Sequence, residues 1–219
     1  SGESRLAVSY RQMFEKHPAP YLLEGQHIWL NHVIFNNDSS KVLFLLRHQP
    51  EARHATSWKT QMYTATIEGA DLVCPLPDFY WHHMISHQIW GRSPREILID
   101  ANWSGEGNDC VVFDERVLPL QATRLSRGLQ TAGHMIFSPD GRQILADTYP
   151  HNEVQRLAQV DVANGTVRVI GRFRHEQPQG APGDVRCDLH PRWSADGSLI
   201  SVDSIDSGTS AIYCLENPH

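Results

Sequence analysis

Four histidines recur in frames that superimpose without gaps: His32-Val-Ile-Phe35, His87-Gln-Ile-Trp90, His134-Met-Ile-Phe137 and His190-Pro-Arg-Trp193. Each stands three residues before an aromatic and ten before an aliphatic residue, Val42, Ile97, Ile144 or Ile200, at intervals of 55, 47 and 56 residues. A polar residue that returns at one point of a repeated unit gathers on one side of the assembly. Three or four imidazoles brought together offer nitrogen lone pairs suited to a divalent ion, zinc or manganese. His32, His87, His134 and His190 are therefore the candidate metal ligands. The structural alternative is that each histidine only hydrogen-bonds its neighbouring unit.

Other residues near the repeat can add chemistry. Asp100, Asp147 and Asp203 each follow their histidine by thirteen residues, where they can cap turns or, less expectedly, orient imidazoles as hydrogen-bond acceptors. Cys187 precedes His190 by three residues, and a thiolate there would favour zinc, although free cysteines more often behave as small buried apolar groups. His82 and His83 read best as loop residues, and Trp29, Trp81 and Trp103 as core aromatics near blade ends that could otherwise stack on sugars.

The elements that must position these residues follow from the same repeat. Ser138-Pro-Asp-Gly141 and Ser194-Ala-Asp-Gly197 are tight turns between strands, and Asn36-Asn-Asp-Ser39 and Gly91-Arg-Ser-Pro94 fill the same slot. Second strands are expected at Lys41–Arg47, Glu96–Asp100, Gln143–Asp147 and Leu199–Asp203, all rich in Val, Ile and Leu. Further strands are expected at Gln61–Ile67, Asp71–Pro75, Cys110–Asp114, Leu118–Thr123, Leu157–Val162, Val167–Phe173 and Ala211–Leu215. Four antiparallel strands per period describe an all-β fold, a β-propeller of four-stranded antiparallel blades. The blades fall at about 27–78, 79–129, 130–183 and 184–219, after an N-terminal segment, 1–26, that holds a strand at Arg5–Tyr10 and a short helix or loop at Gln12–Gln26. Arg5–Tyr10 would either complete the fourth blade or end a blade outside this chain, which would then be part of a larger propeller.

Composition narrows the function classes. The net charge is −6 and the basic residues are scattered, so the footprint of a nucleic-acid binder is missing. No apolar stretch approaches the roughly 20 residues that span a bilayer and no signal peptide opens the chain, so no membrane partner is expected and the protein reads as soluble, either cytoplasmic or periplasmic/secreted. The four cysteines are too widely spaced for a disulfide framework or zinc ribbon. The absence of a Gly-x-Ser-x-Gly elbow argues against a peptidase-associated propeller.

The Ser-Pro-Asp-Gly turns resemble the repeats of Tol-type propellers. Gly133-His-Met-Ile-Phe-Ser-Pro-Asp-Gly141, Asp147-Thr-Tyr-Pro150 and Arg186-Cys-Asp-Leu-His-Pro-Arg-Trp193 resemble the propeller polysaccharide lyases of the oligogalacturonate lyase and ulvan lyase groups. The resemblance runs from about Gln26 onward. It implies a propeller of about seven blades, of which this chain holds about four, with a divalent ion held near the axis by residues at His32, His87, His134 and His190, and Cys187 as a further candidate. It implies an acidic oligosaccharide substrate, cleaved by β-elimination, and self-association or pairing with missing blades. Elimination needs a cation opposite the uronate carboxylate, a base for the C5 proton and an acid for the leaving oxygen. Tyr149 is the candidate acid/base and Arg186 the candidate carboxylate clamp, chosen over the nearby Arg192 and His151. A non-catalytic propeller binding a protein or glycan partner is the alternative function.

Overall fold

The computed structural model describes residues 2–50, 58–76, 85–101, 109–117, 120–126, 129, 132–176 and 186–218. The expected second strands all form, because each is a run of β-branched and aliphatic residues that a buried sheet accommodates well. The strands are β1 (Gln26–Phe35), β2 (Lys41–Pro50), β3 (Lys59–Thr66), β4 (Ile85–Trp90), β5 (Glu96–Ala101), β6 (Asp109–Asp114) and β7 (Ala122–Arg124). They continue as β8 (Ala132–Phe137), β9 (Gln143–Thr148), β10 (Val154–Asp161), β11 (Val167–Arg174), β12 (Arg192–Trp193), β13 (Leu199–Ser204) and β14 (Ala211–Glu216).

They make four sheets in chain order: β1-β2-β3, β4-β5-β6-β7, β8-β9-β10-β11 and β12-β13-β14. The ladders of the first, third and fourth sheets are antiparallel, with neighbours in sequence paired in space. This is the blade pattern expected from the repeat. Two sheets have four strands and two have three among the described residues. In the first sheet the fourth strand expected at Asp71–Pro75 shrinks to one bridge, Thr64 with Val73. Pro75 lacks an N–H to continue the ladder.

The N-terminal expectation needs correction. Residues 5–9 form no strand, and α1 spans Tyr10–Lys16. The Ser9 hydroxyl accepts from Gln12 N and the Gln12 side chain accepts from Ser9 N, a reciprocal cap that starts a helix where the strand was expected to end. The preceding segment runs over the β3 turn instead, with Arg5 Nη2 donating to Ile67 O at 3.3 Å. A Cβ at Gly69 would collide with Ala7 O.

The chain divides into two compact units. One comprises residues 1–85, 89–97 and 113–122; the other comprises 86–88, 98–112 and 123–219. The first is centred on Met13, Phe44, Leu46 and Tyr63. The second is centred on Leu145, Leu157, Leu189, Ile200 and Val202. Among the described residues no helix is long and apolar enough to cross a membrane.

Candidate metal centre

The turns aim the histidines. At Ser138-Pro-Asp-Gly141, Asp140 Oδ1 accepts from Ser138 Oγ at 2.6 Å and from Arg142 N at 3.1 Å, while Gly141 adopts φ +70°. Ser194-Ala-Asp-Gly197 repeats these contacts through Asp196, with Gly197 at φ +74°. Each turn locks the register of the strands beside it. At the other end of the first strand the register breaks: β1 is irregular between Asn31 and Ile34, and β8 between Ala132 and Met135. His32, His87 and His190 sit at positive φ, 54°, 50° and 43°. A non-glycine residue held in the left-handed region costs on the order of 1–3 kcal/mol and redirects its side chain relative to a regular strand.

Three of the four repeat histidines meet in the second unit. The His87 and His134 ring centroids are 4.6 Å apart, and those of His134 and His190 are 3.9 Å apart. Side-chain exposure rises from 13% at His87 through 24% at His134 to 43% at His190, so the cluster opens at the His190 end. His32 lies on β1 in the first unit, with the left-handed backbone that His87 and His190 share.

The aspartates at the thirteenth position face the imidazoles. His87 Nδ1 is 3.5 Å from Asp100 Oδ2, His134 Nδ1 is 3.2 Å from Asp147 Oδ2, and His190 Nδ1 is 3.9 Å from Asp203 Oδ2. The turn-capping role expected for them is not what is found: all three lie inside strands, and Asp100 and Asp147 are buried. Asp147 also joins two blades. Its Oδ1 accepts from His134 N at 2.5 Å and its Oδ2 from His190 N at 3.0 Å. A Cβ at Gly133 would strike Asp147 Oδ1, so the residue before His134 must be glycine for this carboxylate to fit.

These contacts fix the imidazole tautomers. The His134 Nδ1–H points at a carboxylate and the His190 Nδ1–H at Asp188 O, 3.1 Å away. Both Nε2 lone pairs are then left as ligands. One donor atom each from His134, Asp188 and His190 lie within 4.8 Å of one another. Two neutral imidazoles and one carboxylate, oriented from behind and open to solvent on one side, fit a divalent ion. Asp188 was not singled out in the sequence, although it sits two residues before His190.

The remaining candidates divide. His87 directs Nε2 at Tyr149 Oη, 2.9 Å away, and lies outside the three-residue donor group. Burial raises the Tyr149 pKa, opposed in part by Arg186. The Arg186 guanidinium lies 4.2 Å from the Tyr149 ring centroid and binds Asp188 through Nε and Nη2 at 2.5 and 2.8 Å. That ion pair raises its pKa. Cys187 is also outside the donor group; its N–H donates to His175 Nε2, and burial pushes its thiol pKa up, against thiolate formation. Trp29 is half-buried on β1, 6.3 Å from Trp58 in an edge contact. Trp81, Trp103, His82 and His83 lie outside the described residues.

Comparison with solved structures identifies the architecture. The chain resembles an oligogalacturonate lyase in complex with manganese, at 19% identity and TM-score 0.61, over 87% of this chain and 49% of that one. It resembles an oligogalacturonate lyase from Vibrio parahaemolyticus at 16% identity and TM-score 0.61, over 87% and 50% of the two chains. It resembles TolB from Acinetobacter baumannii at 9% identity and TM-score 0.58, over 86% and 52%. The fold is that of a β-propeller. At these identities the likeness shows the fold alone, and the chain spans about half the length of these structures. No family model matches the chain, and no curated protein matches it in sequence.

Proposed function

We infer that the chain is, or forms part of, a metal-dependent lyase that cleaves uronic-acid-containing oligosaccharides by β-elimination. The observation that carries this reading is the convergence of His87, His134 and His190 from successive blades, backed by aspartates and flanked by Tyr149. Similarity to the oligogalacturonate lyases, one of them a manganese complex, supports it.

The reaction passes the C5 proton beside a carboxylate to a base, and the C5–H electron pair forms the C4–C5 double bond. The C4–O glycosidic bond breaks with its electron pair leaving on the oxygen, which takes up a proton from an acid. A divalent ion, manganese or zinc, held by His134, His190 and Asp188 would supply positive charge to the substrate carboxylate as the C5 proton leaves. Asp147 keeps His134 and His190 in one orientation. Asp100 lies behind His87 Nδ1, so Nε2 accepts the Tyr149 hydroxyl proton in a hydrogen bond. The raised pKa keeps this phenol protonated, and its hydroxyl, turned from His87 toward a bound substrate, would donate to the leaving oxygen. Arg186, stacked on the Tyr149 ring and held by Asp188 through Nε and Nη2, would present its guanidinium charge to a substrate carboxylate.

Incubating the purified protein with oligogalacturonate and manganese or zinc should produce the ultraviolet absorbance of an unsaturated uronate. Elemental analysis should find bound metal, and H134A should lose both. Absence of metal and of product from the parent protein would overturn the reading. The second reading, a non-catalytic propeller binding a protein or glycan, is favoured by the double use of Asp147, which ties two blades together through the backbone N–H groups of His134 and His190. It expects H134A to lose stability while partner binding persists.

A further inference from the structure

A second charged site lies on the outer strands of the third blade. Arg156 on β10 stands directly opposite Arg172 on β11 in the antiparallel register. Like charges facing each other across strands are destabilising; both arginines are exposed, and among the described residues neither forms an ion pair, Asp206 of the same cavity included. Arg174 lies two residues beyond Arg172, on the same face, and is already paired with Glu176. All three arginines line a cavity of about 370 Å³ together with His151, Asn152 and Asp206.

The rim of this cavity is held in strain. His151 and Val154 close a two-residue hairpin whose central residues, Asn152 and Glu153, have φ of +49° and +60°. Such a turn suits Asn-Gly, and a glutamate at the second position is held there against its backbone preference. Asp206 enters from the loop after β13, where its Oδ1 accepts from Arg174 N at 2.6 Å. His151 follows Tyr149 by two residues, so their Cα atoms lie within roughly 7 Å. The cavity is thus one short loop from the histidine cluster.

We propose that this arginine-lined cavity binds a carboxylate-bearing sugar, as a site separate from the histidine cluster. The unopposed Arg156–Arg172 pair calls for an anion and matches a carboxylate in fork geometry. Asp206 and the Asn152 side-chain carbonyl call for something else, hydrogen-bond donors, which a bare inorganic anion lacks and sugar hydroxyls provide. A ligand with one acidic group and several hydroxyls satisfies both halves of the cavity. The assignment rests on this chemistry and stands whether or not the histidine cluster supports elimination.

Titration calorimetry with digalacturonate, without added metal, tests the proposal. The parent protein should bind it in a salt-sensitive manner and should not bind a neutral disaccharide. The R156Q/R172Q variant should weaken binding by at least about tenfold, with a circular dichroism spectrum unchanged and a Tm equal or higher, because the like-charge contact is gone. H134A should retain the arginine-dependent binding even though the lyase reading expects it to lose elimination. In the parent, digalacturonate should shift the Asn152 side-chain amide resonance, a readout that needs no variant. Equal affinity in R156Q/R172Q, equal binding of the neutral disaccharide, or inorganic phosphate binding as tightly as digalacturonate would each overturn the proposal.

Discussion

Asp147 is the residue on which the geometry of the candidate centre turns. Replacing it with asparagine puts an N–H donor or a weaker acceptor where two backbone N–H groups and an imidazole converge. D147N should cost about 1–3 kcal/mol in urea denaturation and weaken metal binding by about 10–100-fold; unchanged metal affinity would show that Asp147 does not orient the ligands. On the lyase reading, Y149F, which removes the hydroxyl placed against His87, should slow elimination about a hundredfold or more while leaving metal content intact. Cys110 makes an independent test of burial. Desolvation pushes its thiol from a usual 9.0 up to about 12. A folded pKa above the unfolded one for an acid means that the neutral thiol favours folding. This contribution is full below pH 9 and is lost as pH rises toward about 12. At neutral pH an alkylating reagent should modify the exposed Cys214 and spare Cys110.

At the scale of the element, the repeated turn is the informative unit. Ser39 occupies the slot that Gly141 and Gly197 fill in the third and fourth sheets, and carries the same left-handed φ, +58° against +70° and +74°. Serine has a Cβ to strain there and glycine does not. S39G should therefore raise stability by about 0.5–1 kcal/mol, read by thermal unfolding. The equivalent turn of the fourth sheet carries a pH signature. Hydrogen bonds from the Ser194 hydroxyl and from the Ser198 N–H and hydroxyl lower the Asp196 pKa from 3.8 to about 2. Its contribution to stability is present above pH 3.8 and lost as pH falls through about 2, so D196N should flatten that part of the acid-unfolding profile. The lost Asp71–Pro75 strand and the α1 helix belong to this scale as well. Both were legible in hindsight, one from Pro75 and the other from the Ser9-x-x-Gln12 cap.

At the scale of the molecule, a bound ion and a neighbouring blade are the levers. An ion that binds only the folded cluster stabilises it by about 2.7 kcal/mol at a hundred times its dissociation constant. Adding a chelator to the metal-loaded protein should lower its Tm, and restoring manganese or zinc should recover it. β14 is the last strand of a three-stranded sheet and leaves Ile212 74% exposed. An edge of this kind invites pairing with a further strand. I212K should reduce concentration-dependent association in light scattering; an unchanged apparent mass at every concentration would remove this edge as the contact.

The sequence by itself determined the blades. Hydrophobic runs at a fixed distance from Asp-Gly turns specify local hairpins, because strand pairing between neighbours needs only short-range information. The recurrence of histidine at one slot also pointed to the cluster that His87, His134 and His190 form. Only the tertiary structure decided what each imidazole faces. The Asp147 bond to His190 spans 43 residues, the left-handed backbone at three repeat histidines has no glycine to announce it, and Arg156 meets Arg172 only through the register of two strands. Chain spacing does not encode these contacts. They arise where separate hairpins pack, and the direction of a side chain there is set by bulges and buried carboxylates supplied from elsewhere in the fold.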